Sequence, residues 1–239
     1  AGYRTAWIGA QEYKRAWDKY DAEYAEGKNP EAPNRDIKYD TLRGVLEGEV
    51  MIHNHCYKAE EMAMMIDLSK EFNYHAGTFH HGIEAYKIAD LLADNGSCAA
   101  LWPDWWGFKM EAYDMVQENV AIVDAVKNSC AVVHSDSDTT IQRLNQEAAK
   151  VMYRANENGF DISEEHAIKW ITTNAAKSLG IDDKTGSLEA GKQGDVVIWN
   201  QSPFSVYAKA EQVFVDGAKV YDRNDSTYQA TSDFMLGQK

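Results

Sequence analysis

Positive charge is what this sequence is short of: its 239 residues carry 24 Lys and Arg against 38 Asp and Glu, a formal charge of −14. Nucleic acid and anionic membrane attract Lys/Arg-rich surfaces, so neither is expected as the main partner. No run of about 18 apolar residues occurs, which excludes a transmembrane helix. The opening segment, 1–20, lacks the apolar core and cleavage site of a signal peptide. It reads as if cut from within a longer chain, and the compartment stays open between cytoplasm and periplasm or exterior. Internal repeats and low-complexity stretches are absent too. Cysteine is scarce: Cys56, Cys98 and Cys130 are odd in number and lack CxxC spacing, which argues against a disulfide framework or a cysteine zinc site. Each falls in a predicted strand and reads as a buried structural thiol.

What is present is an ordinary globular composition, 44% hydrophobic and 26% charged. From Ala1 to about Glu49 the pattern is helical. Tyr13, Trp17, Tyr20 and Tyr24 share one helix face and read as packing, and a second short helix is predicted around 36–46. From Gly48 to about Ile181 strand-like runs alternate with helices. The runs are 49–53, 76–80, 98–101 and 130–133. Predicted helices between and after them are lined by Met62, Met65 and Ile66; by Ile88, Leu91 and Leu92; by Tyr113, Val116, Val120 and Val123; and by Ile141, Leu144, Ala148, Val151 and Met152. A further helix from about Ser163 puts Ile168, Ile171, Ala175 and Leu179 on one face and stops at Gly180. Such alternation means βαβ units and a parallel sheet. The character then becomes all-β, with a strand at 194–199 and a hairpin at 212–221 turning at Asp216-Gly217. Four parallel strands are too few for a closed barrel of eight. No Gly-rich phosphate loop follows the first strand, as a dinucleotide fold requires. The chain is therefore a small open α/β domain or half of a barrel. A phosphate-loop look-alike at 186–192 lacks the following Ser/Thr, where Gln193 stands, and leads into a strand, so it reads as a turn.

In parallel α/β folds the chemistry gathers at the C-terminal ends of strands. Those ends carry His53-Asn54-His55, His80-His81-Gly82, Trp102-Pro103-Asp104-Trp105-Trp106 and His134-Ser135-Asp136. Buried imidazoles and carboxylates need partners, and two readings meet that need: a divalent metal site of the zinc type or a hydrogen-bonded polar cluster. By strand parity His53 and His55 share a face, as do His134 and Asp136, whereas His80 and His81 point oppositely. His53 and His134 serve equally well as filler or as supporting groups. His75 and His166 lack such company and read as surface or loop residues.

The segment 173–181, Thr-Asn-Ala-Ala-Lys-Ser-Leu-Gly-Ile, followed by 186–199, Gly-Ser-Leu-Glu-Ala-Gly-Lys-Gln-Gly-Asp-Val-Val-Ile-Trp, resembles the C-terminal signature of the metal-dependent amidohydrolase superfamily. The family usually has Pro where Ala175 stands and Ala where Gly194 stands. The segments 55–62, 81–86 and 134–136 resemble strands five, six and eight of imidazolonepropionase-like members. The family's first His-x-His pair lies some seven βα units before its strand-eight aspartate, yet His55 and Asp136 are only 81 positions apart, so His53-Asn54-His55 matches strand five. The resemblance implies the C-terminal half, about strands five to eight, of a (β/α)8 barrel of TIM type over residues 1–185. It further implies part of a small β-sandwich over 186–225 and a tail over 226–239.

The same resemblance implies roles. His55, His81 and Asp136 would bind a divalent metal, zinc as one or two ions, completed by ligands outside this chain. Metal-activated water would attack a carbonyl carbon, with Asp136 as proton shuttle and His81 beside it as the second catalytic group. Tyr57, Trp105, Trp106 and Lys109 would help form a pocket for a small amide, dipeptide or cyclic amide. Plain packing against the missing half is the competing reading of the tryptophan loop. The implied partner is the N-terminal half of the barrel, as a second chain or a removed segment, with a homo-oligomer also open. The alternative is a catalytically inactive barrel fragment serving as scaffold or binding module.

Overall fold

The computed structural model describes residues 2–228. Helices α1 (Gly2–Ala25) and α2 (Ile37–Leu46) open the chain. The predicted aromatic stripe forms a ladder of ring contacts, Tyr13–Trp17 at 6.2 Å, Trp17–Tyr20 at 5.6 Å and Tyr20–Tyr24 at 6.0 Å. Tyr13 donates to Asp40 of α2 at 2.6 Å. Further up α1, Trp7 is buried and stacks on Tyr74 with ring centroids 4.3 Å apart, which seats the helix on the main core.

Four parallel strands follow, β1 (Ile52–Cys56), β2 (Ala76–His81), β3 (Cys98–Leu101) and β4 (Ala131–Val133), hydrogen-bonded in the order β1-β2-β3-β4. Between them run α3 (Ala59–Phe72), α4 (Ala89–Asn95) and α5 (Asn119–Asp124). Sequential order without reversal has no switch point of the doubly wound kind, and right-handed crossovers place the intervening helices on one face. That face buries Phe79, Ala99, Leu101, Ala131 and Val133 with Met62, Ile66, Val120 and Val123. The opposite face carries Cys98, Ala100, Cys130 and Val132 low down, against Ala175, and the histidines above them.

The first strand begins three residues later than the hydrophobic run suggests. The amides of Glu49 and Val50 both donate to the Gly44 carbonyl, holding them on the end of α2 and out of the sheet. His55 thereby falls inside β1. The predicted helix through Tyr113 and Val116 also needs correction, because only α5 from Asn119 is helical there, after a short 3₁₀ turn at Met110–Ala112. Ala112 and Met115 turn inward onto Tyr57, Ile83 and Trp102 and pull the chain off a helical path.

Beyond β4 lie α6 (Leu144–Glu157), α7 (Glu164–Ala167) and α8 (Thr173–Ser178). The single helix predicted from 163 is broken at Thr172 (φ −131°, ψ −93°), where the Asn174 side chain donates to the Ala131 carbonyl and draws α8 beneath β4. His166 sits in α7, not on a loop, and pairs with Asp124 at 2.5 Å; His75 is exposed as expected.

The cysteine reading is overturned in part. Cys98 and Cys130 form a disulfide, and Cys56 alone is free. Ala99 and Ala131 are register partners, so the cysteines one residue earlier face each other with Cα atoms 4.5 Å apart, within reach of a bridge.

The C-terminal segment is a three-stranded antiparallel sheet of β5 (Val196–Trp199), β6 (Ala210–Val215) and β7 (Ala218–Asp222). Asp216 and Gly217 both have positive φ, 49° and 77°, as the predicted hairpin turn requires. Gly194 lies against that turn, where a Cβ would meet the Gly217 amide nitrogen at 2.8 Å. The look-alike segment 186–192 is a turn. Of the predicted tail, 226–228 form a 3₁₀ turn and 229–239 lie outside the described residues.

Candidate active site

Two imidazole pairs sit one above the other across β1 and β2. His53 Nδ1 lies 2.9 Å from His80 Nε2, and His55 Nδ1 lies 2.6 Å from His81 Nε2. Register alignment of His55 with His80 sets the two ladders side by side. Parity alone would send His81 to the helix face. Instead His81 has φ +72°, a left-handed conformation that breaks the alternation and turns its ring toward His55. His80 and His81 therefore do not point oppositely; both reach His134, with ring centroids 5.5 and 5.0 Å away. Gly82 follows with φ +43°, where a Cβ would strike Leu101 at 2.6 Å. The turn that delivers His81 thus requires glycine beside it.

Asp136 also adopts positive φ, 54°, just beyond β4. Its carboxylate lies 3.9 Å from His81 Nε2 and remains largely exposed. Trp102 closes the far side: its ring is 4.3 Å from His81, and its indole N–H donates to the Ser135 carbonyl at 2.9 Å, tying the loop after β3 to the loop after β4. Tyr57, buried at the end of β1, stacks on His81 at 5.2 Å and meets His55 edge-on at 5.0 Å. The Lys109 ammonium donates to the Tyr57 phenol oxygen. These groups line an open cleft of about 620 Å³ whose walls include His55, Tyr57, Trp105, Trp106, Lys109 and Asp136. Every site residue named from the sequence is thus in or against one cleft.

Two supporting residues carry no periodic or spacing signal. Glu84 is buried and receives the Lys58 ammonium and the Ala59 N–H, each at 3.0 Å, with Lys87 at 3.1 Å. Burial pushes its carboxyl up, but the Ala59 amide and the two ammoniums outweigh that and hold it down at about 2. Asn119, fully buried at the start of α5, donates to the Gly82 carbonyl at 2.9 Å and accepts from the Tyr86 N–H at 2.9 Å. Glu84 locks the loop after β1 to the loop after β2, and Asn119 locks the latter to α5. A buried Asn and Glu at helix starts could have been flagged only by knowing which turns meet.

The imidazoles are held neutral. Burial first, then His55, brings His81 down to about 4; burial, then His81, His80 and His55, brings His134 down to about 3. Neutral imidazole is the form that ligates a metal. Among the described residues His81 Nδ1 and His134 Nε2 are buried without a hydrogen-bond partner. In donor type the set fits a divalent ion. In number it does not complete one, because no group of three or more His, Cys, Asp or Glu side chains among the described residues is arranged to hold a metal.

A parallel α/β sheet with His and Asp gathered at the C-terminal strand ends defines a class of catalytic scaffold. Comparison with known proteins gives the family. The amidohydrolase family model matches residues 108–220. Amidohydrolase tasK of Hapsidospora irregularis is 26% identical over 227 residues, 92% of this chain and 22% of that protein. Imidazolonepropionase of Shewanella oneidensis is 31% identical over 109 residues, 46% of this chain and 25% of that protein. The crystal structure of an amidohydrolase from Thermotoga maritima superposes with a TM-score of 0.77 at 28% identity, over 92% of this chain and 55% of that one. The chain fits the amidohydrolase superfamily, on its imidazolonepropionase-like branch. It spans about a quarter or less of these curated relatives. No helix among the described residues is long and apolar enough to cross a membrane.

Proposed function

We propose that this chain supplies the strand-five to strand-eight side of an amidohydrolase barrel, with β5–β7 as part of the adjoining sandwich. The assembled protein hydrolyses a small amide C–N bond. The observation that carries this reading is the convergence of His55, His81 and Asp136 in one aromatic cleft at the C-terminal ends of a sequentially ordered parallel sheet. His55 and His81 would hold a divalent ion of the zinc type together with ligands from outside the described residues, in keeping with neutral nitrogen donors. When bound, the ion supplies Lewis-acid polarisation of water and of the amide carbonyl.

The chain's own residues do the rest. Asp136, largely exposed on the cleft side of His81, takes the proton from the attacking water at its carboxylate. As the new C–O bond forms and the C–N bond breaks, it delivers that proton to the departing nitrogen. Trp102 and Tyr57 wall off the His81 ring on either side and exclude water from it.

His55→Ala and Asp136→Asn are expected to lower amide turnover by about 10²-fold or more while leaving the circular dichroism spectrum unchanged. His55→Ala should also lose metal on dialysis. Full turnover in both variants would sink the assignment. A second reading, a non-catalytic scaffold, is favoured by the incomplete donor set among the described residues. It predicts no metal uptake by the purified protein at stoichiometric zinc.

A further inference from the structure

The cleft holds a cation that nothing in the proposed hydrolysis uses. Lys109 sits between the aromatic walls with its ammonium 4.0 Å from the Tyr57 ring centre and 5.2 Å from that of Phe108. Among the described residues it has no carboxylate partner. Its one polar contact is the Tyr57 phenol oxygen. The cleft's other acidic groups leave it free: Asp104 is neutralised by Lys150 at 2.8 Å, and Asp136 faces His81. An ammonium kept in a half-closed aromatic cleft without a counter-charge is a recognition element for an anion.

Tyr57 sets where that anion lies. Lys109 donates to the phenol oxygen, so the phenol's own hydrogen remains available to donate. The two donors converge on one point at the rim, and the same Tyr57 ring stacks on His81 at 5.2 Å. The anion is therefore held within about one residue's reach, on the order of 3.8 Å, of the imidazole pair. In an N-acyl amino acid or dipeptide, the carboxylate is separated from the scissile carbonyl carbon by only the amide nitrogen and the α-carbon. The exposed rings of Trp106 and Phe108 offer apolar surface for the substituent on that α-carbon.

We infer that Lys109 and Tyr57 form a carboxylate clamp. The substrate class is then an amide whose nitrogen bears an α-carboxylate with an apolar side chain, rather than a neutral cyclic amide. This rests on the hydrolase reading above and narrows it.

The test compares N-acetyl-L-phenylalanine with N-acetyl-L-phenylalanine amide on the full-length protein. Binding is followed by calorimetry and by tryptophan fluorescence, and hydrolysis is assayed separately. The wild type should bind the carboxylate at least tenfold more tightly than the amide. Lys109→Met should bring that ratio close to one, Lys109→Arg should restore much of it, and Tyr57→Phe should lower it severalfold. Equal binding of the two probes, failure to bind either, or a preference that survives Lys109→Met overturns the clamp. Turnover of a neutral cyclic amide with no effect of Lys109→Met would keep the hydrolase and discard the clamp. Lys109-dependent carboxylate binding without hydrolysis of any amide would keep the clamp and discard the hydrolase.

Discussion

A carboxylate that no spacing argument singles out holds the mouth of the cleft together. Glu84 bridges the loops that present Tyr57 and His81, and its ionised form is the one that the Ala59 amide, Lys58 and Lys87 bind. Its folded carboxyl lies at about 2, below the ordinary value of 4.5. A depressed carboxyl stabilises the fold when ionised, so its contribution is whole above about 4.5 and is lost as the pH falls toward 2. Glu84→Gln should therefore cost about 1–3 kcal/mol at pH 7. Urea unfolding from pH 6 to pH 2.5 should show the wild type converging on the variant as the pH drops. Parallel curves would mean that Glu84 makes no pH-linked contribution. The site ligands, by contrast, were legible: His55, His81 and Asp136 end their strands, and strand ends are where such folds gather polar groups. What spacing missed was the backbone, because two positive φ values, at His81 and Asp136, redirect side chains that alternation would have placed elsewhere.

At the scale of elements the same contrast holds. The βαβ alternation, the hairpin at Asp216-Gly217 and the aromatic face of α1 all follow from periodicity and turn chemistry. The helix through Tyr113 and the unbroken helix from 163 do not form, because contacts remote in sequence override local pattern: Met115 and Ala112 seek the tryptophan cluster, and Asn174 seeks β4. The disulfide was missed for the same reason. Its two cysteines become neighbours only once β3 and β4 pair in register, although each stands at the head of its run. The bridge closes a 32-residue separation, for which loop-closure entropy gives about 3–4 kcal/mol. Replacing both residues, as Cys98→Ala with Cys130→Ala, should reduce unfolding free energy by roughly that amount. Thiol titration of the unreduced, urea-unfolded protein should find Cys56 alone, and in the native state slowly, since burial pushes its thiol up to about 11. Three titrating thiols would refute the bridge.

Parallel sheets in α/β proteins are covered on both faces, and here only one face is. The helix side is a continuous core, whereas on the other side α8 covers the lower ends of β3 and β4 and leaves His53 and His55 exposed. Among the described residues β1 and β4 are also edge strands of the sheet, a liability that proteins close, cover or blunt. The imidazole ladder, too few in number to hold an ion by itself, faces the same open side. Sheet edges, bare face and incomplete donor set are one vacancy seen three ways, and a barrel's other strands would fill all three. The purified protein is therefore expected to run in native mass spectrometry well above its 26.9 kDa, carrying a second polypeptide and one or two transition-metal ions. Amide-exchange protection of β1 should fall when that polypeptide is removed, because the edge and the His55 face would then meet water together. A bare, metal-free particle at 26.9 kDa, with β1 as well protected as β2, would mean that the half-barrel stands alone and that catalysis is not the work of this chain.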